Sequence, residues 1–171
     1  MNRSHSWEHG VANYSEKSLD KIGHRVSNML RSREAPVRFF YYFTAADNLL
    51  LIAADSVGDC LRFGFTRDGN MVCVSAVDSS VWEVPVNETG GESLINSSID
   101  SFLEIMAICE DLISRHERAD DEGELGEEHI ERWIETSESI CRRIEEIDPS
   151  SLFAGSYWSD FLSDVANGDY E

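Results

Sequence analysis

The stretch CLRFGFTRDGNMVCVSA, residues 60–76, decides the fold. Apolar and small or polar side chains alternate over its first seven residues. Leu61, Phe63 and Phe65 fall on one face and Arg62, Gly64 and Thr66 on the other, which is the period of a half-buried strand. Thr66-Arg67-Asp68-Gly69-Asn70 then reads as a turn, because Asp-Gly tolerates the positive φ that a tight hairpin needs. Residues 71–76 resume as a short buried strand. Upstream, residues 37–43 and 48–54 are apolar and β-prone. Downstream, residues 81–86 alternate again, which predicts Trp82, Val84 and Val86 inward, and Gly90-Gly91 is expected to close the sheet. The middle third is therefore an antiparallel meander.

Outward from the meander the period changes to that of a helix. From Ser15, Leu19, Ile22, Val26, Met29 and Leu30 share a face of a helix ending before Pro36. Asn96-Ser97-Ser98-Ile99-Asp100 opens a second helix, with Asn96 and Ser97 as caps and Ser97 with Asp100 fitting a capping box. Its stripe is Ile99, Phe102, Leu103, Met106, Cys109 and Ile113. A third carries Ile130, Trp133, Ile134, Ile140, Cys141 and Ile144, and Asp148-Pro149 ends it. A short last helix buries Tyr157, Trp158, Phe161, Leu162 and Val165. Residues 1–14 show no sustained period and read as a flexible leader before one domain over 15–171. Within that leader, Trp7 is an anchor either for a partner or for the domain's own surface.

The chain has 171 residues, 42% hydrophobic, so a packed core is within reach. Its 33 acids against 14 bases give a net charge of -19. That field opposes direct binding of nucleic acid or an anionic membrane and favours a basic protein partner. Neither a membrane-spanning apolar run nor a signal-peptide pattern occurs, which makes a cytoplasmic location the expectation. Cys60, Cys73, Cys109 and Cys141 lie far apart without CxxC spacing and read as reduced thiols.

Signatures of chemistry are missing. GxSxG, HExxH, GxxxxGK[ST] and GxGxxG do not occur. His5 and His9 lack a third ligand at fixed spacing. His116 and His129 flank the acidic connection 119–128, where a divalent cation is imaginable. The EF-hand register fails there: Gly126 at the sixth loop position puts Gly123 and Leu125 where oxygen ligands are required. No catalytic residue, cofactor or metal is expected, and a metal-dependent hydrolase built on residues 116–129 is the remote third class. The acids themselves are the candidate contacts: Asp55, Asp59, Asp68, Asp78 and Glu83 on the sheet, or Asp120, Asp121, Glu122 and Glu124 in the connection.

The turn Thr66-Arg67-Asp68-Gly69-Asn70-Met71-Val72, the helix start Leu94-Ile95-Asn96-Ser97-Ser98-Ile99-Asp100-Ser101-Phe102-Leu103, and Ile147-Asp148-Pro149 followed by Tyr157-Trp158, Phe161 and Leu162 together resemble the SUKH superfamily of bacterial immunity proteins, most closely its fourth clade. The resemblance implies an α+β single domain in which a central antiparallel sheet is flanked by helices. It also implies a non-catalytic antitoxin that neutralises a cognate polymorphic toxin, a nuclease or nucleic-acid deaminase, by covering its basic active-site surface. The alternative is a regulatory or scaffolding interaction module of the same fold. An acidic mimic of nucleic acid would instead bind promiscuously.

Overall fold

The structure is a computed structural model that describes residues 7, 10–14, 27, 28, 30, 35–87, 90–120 and 127–170. Six strands follow in chain order: β1 (Arg38–Phe39), β2 (Phe43–Ala54), β3 (Gly58–Thr66), β4 (Met71–Ser75), β5 (Val81–Val84) and β6 (Ser93–Asn96). Each pairs antiparallel with its sequence neighbour in a single curled meander. Three helices come after the sheet: α1 (Ile99–Asp120), α2 (Glu127–Ile147) and α3 (Tyr157–Asn167). This is the expected α+β domain with an antiparallel sheet and flanking helices. The expected helix from Ser15 lies mostly outside the described residues. Of its stripe, Leu30 is helical and buried.

The core sits between the helices and one face of the sheet. Phe43, Leu61, Phe63, Val72, Val74, Val81 and Ile95 meet Phe102, Met106, Cys109, Ile113, Trp158, Phe161 and Val165 there. The stripes of α1 and α3 are buried as their spacing predicts. In α2, Trp133, Ile140 and Ile144 are buried, but Ile130 and Ile134 at the stripe's N-terminal end face outward. Trp7 and Tyr14 belong to the same core, Tyr14 donating its hydroxyl proton to the Phe63 carbonyl at 2.9 Å, so Trp7 serves the domain itself.

Several sheet expectations are corrected. The alternation in β3 breaks at a bulge between Arg62 and Gly64, so Phe63 and Gly64 both turn toward the helices. Phe65 moves to the opposite face, where the Arg62 guanidinium lies 4.9 Å above its ring. Gly64 is there for space: a Cβ would stand 2.1 Å from the Phe43 ring. In β5 the inward residue is Val81, whereas Trp82 and Val84 pair with Cys73 and Met71 on the helix-free face and Val86 is exposed. The run 37–43 is not one strand, because the chain turns at 40–42 with Phe40 at φ 44°. Gly90-Gly91 does not close the sheet, since β6 follows and pairs with β5.

Candidate functional site

Residues of two of the three resembling segments, the helix start and the C-terminal stretch, meet in one network. Asn96 ends β6, and Asp148 sits between α2 and the 3₁₀ turn Pro149–Ser151. The Asn96 amide donates to the Asp148 carboxylate at 2.9 Å, and the backbone N–H of Ser97 donates to the same oxygen at 2.7 Å. The indole N–H of Trp158 donates to the Asn96 carbonyl oxygen at 2.8 Å. Ser150 closes the other Asp148 oxygen at 2.6 Å. Burial raises the Asp148 pKa, but bonds from Ser150, Asn96 and Ser97 outweigh it and hold the carboxyl below the usual carboxylate range. Capping falls elsewhere than expected: Ser98, not Asn96 or Ser97, accepts the Ser101 N–H at 3.0 Å at the start of α1. Asn96, Asp148 and Trp158 are buried, so their bonds tie β6, the end of α2 and α3 together.

The acids expected to touch a partner divide between the two ends of the sheet. At one end, Asp68 and Glu83 line an open cleft of about 360 Å³ with Asn70, Pro85, Asn87, Gly90 and Gly91. Glu83 is half-buried, and one of its oxygens already accepts from Thr66 at 3.1 Å and Asn70 at 2.8 Å. Beside the cleft Arg67 is bound to Asp164 of α3 at 2.6 Å and lies over the rings of Tyr41 and Tyr42. The hydroxyls of both tyrosines donate to the same carboxylate. Burial raises the pKa of Asp164, yet the bonds from Tyr41, Tyr42 and Arg67 prevail and lower it.

At the other end, Asp55 in the β2–β3 turn, Asp59 and Asp78 are exposed. The Ala76 N–H donates to the Asp59 carbonyl at 3.0 Å, which lays the β4–β5 loop beside β3. Asp78 is committed locally. It accepts from the Ser80 N–H at 3.0 Å and the Ser80 hydroxyl at 2.6 Å, and those bonds depress its pKa. Ser80 in turn accepts the indole N–H of Trp82 at 2.7 Å, so Asp78 helps to orient a half-buried tryptophan on the helix-free face. Composition and spacing carry no signal for that chain of contacts.

Asp120 closes α1, and Asp121, Glu122 and Glu124 lie outside the described residues. Among the described residues no group of three His, Cys, Asp or Glu side chains could hold a metal ion, and no helix is long and apolar enough to cross a membrane. The four cysteines are free thiols.

In comparisons with known proteins, the family model described as SUKH-4 immunity protein matches residues 18–164. No curated protein and no solved structure matches the chain.

Proposed function

The chain belongs to the SUKH-4 immunity protein family, and on that footing we propose that it binds one cognate toxin domain and neutralises it by covering a basic active-site surface, with no chemistry of its own. The family match over 147 residues, 18 to 164, carries this reading. The charge of -19 supports the basic character of the target, since negative charge at this density speeds encounter with a cationic surface and repels nucleic acid. Exposed acids at both ends of the sheet fit the same partner. The site of action is the cytoplasm, where a nuclease or nucleic-acid deaminase meets its substrate.

The test is capture of the tagged chain's partner from its own host, followed by co-expression of the chain with the toxin domain so identified. Growth is restored, and the purified pair binds with an affinity that falls as salt rises. Growth arrest that persists despite soluble, folded protein would refute the proposal. Capture of several unrelated partners with equal affinity points instead to a general interaction module.

A further inference from the structure

Resting on the immunity reading, we infer that the toxin domain docks on the helix-free face of the sheet, with Trp82 as its central anchor. One face of the meander is filled by the helices. The other carries a small cluster of Ala54, Cys60, Cys73 and Val84, with Ile52, Val57, Met71 and Trp82 half-buried against them, and among the described residues no helix contributes to this cluster.

The strand register lays out what a partner meets. Leu50, Arg62, Cys73 and Trp82 form one cross-strand row, and Phe65, Met71 and Val84 form the next. Leu50 is 48% exposed. Two of the large groups are already held in place: the Trp82 indole by Ser80, and Arg62 by the Asn48 carbonyl at 3.0 Å while it covers the Phe65 ring. Aromatic and arginine side chains fixed before association lose little rotamer freedom on binding, which is the character of an interface hot spot.

Charge selects the occupant. Residues 39–109 contain ten acids and two bases, Arg62 and Arg67. Both bases are engaged within the chain, Arg67 by Asp164 and Arg62 as just described. Beside the apolar centre stand Asp55 in the β2–β3 turn and Glu92, whose carboxylate accepts the neighbouring Ser56 N–H at 2.6 Å. A complementary partner presents an apolar strip flanked by lysines or arginines, as a basic toxin domain does and a second copy of this acidic chain does not.

The probe is the toxin domain that the co-expression test identifies, purified with its catalytic residue replaced and titrated calorimetrically into wild type, Leu50→Lys, Trp82→Ala and the double variant Ile130→Ser/Ile134→Ser. The first two variants weaken binding by about thirty-fold or more, as loss of a hot spot does. The double variant on α2 stays within about threefold of wild type, the range of residues outside an interface. Leu50→Lys replaces a side chain 48% exposed and preserves the fold even if Trp82→Ala does not. Wild-type affinity in folded Leu50→Lys, or loss of binding confined to the α2 variant, overturns the inference while leaving the immunity reading intact. A wild-type protein that does not bind the toxin domain overturns both. Sedimentation as a dimer that Leu50→Lys dissociates assigns the face to self-association and overturns the docking inference.

Discussion

Gly64 and Asn96 show how single positions hold this fold. Gly64 faces the core beneath Phe43, and an added methyl group would stand 2.1 Å from that ring. Gly64→Ala should cost about 1–3 kcal/mol, the range for overpacking a tight core, measured by urea unfolding. The double variant Gly64→Ala/Phe43→Leu should recover part of the loss, because the smaller side chain gives the methyl room. Asn96 donates to Asp148 and accepts from Trp158, and it is fully buried. Asn96→Ala leaves the buried Trp158 N–H without its acceptor, at about 1–3 kcal/mol, and takes one of three donors from Asp148, whereas Ser98→Ala removes one helix cap at about 1 kcal/mol. If the Ser98 variant proved the more damaging in parallel melts, the network would be marginal to stability.

Between elements, the bond from Arg67 to Asp164 ties the β3–β4 turn to α3, with Tyr41 and Tyr42 enclosing it. The Asp164 carboxyl titrates below its ordinary value in the folded chain. Such a group binds its proton more readily when unfolded. Its stabilisation is thus fully present above the ordinary carboxylate pKa and disappears as pH falls through the lowered folded value. Asp164→Asn should be less stable than wild type by about 1 kcal/mol at neutral pH. That gap should stay constant down to about pH 5 and close below about pH 4, followed by thermal melts across the range. A gap independent of pH would mean that the carboxylate charge contributes nothing.

How much of this layer was legible follows from the local signals. The hairpin at Asp68-Gly69, the buried stripes of α1 and α3 and the end of α2 at Asp148 were readable, because each depends on residues close in sequence. The side on which Phe65 and Trp82 fall was not. A bulge at one point of β3 reverses alternation beyond it, and only pairing with β4 reveals the extra residue. The strand β6 is four residues long and too short for its period to stand out before the helix start. The candidate acids were visible as composition. Their division between two sheet ends, and the commitment of Asp78 to Ser80, came only with topology.

For the whole molecule, a charge of -19 acts on folding and on binding in opposite senses. Self-repulsion weakens the compact state, so added sodium chloride should raise the melting midpoint while lowering affinity for a basic partner. A midpoint that falls with salt would show that attractive ion pairs dominate the folded chain. The interior network carries a further consequence for how such a protein diversifies. Asn96, Asp148 and Trp158 bind one another and none of Leu50, Asp55, Asp59 or Asp68. Substitutions at those outward positions leave the bonds that close the fold untouched. A lineage can therefore track a changing adversary through its surface while inheriting the same interior, and two descendants that no longer recognise each other's toxins can still superimpose strand for strand.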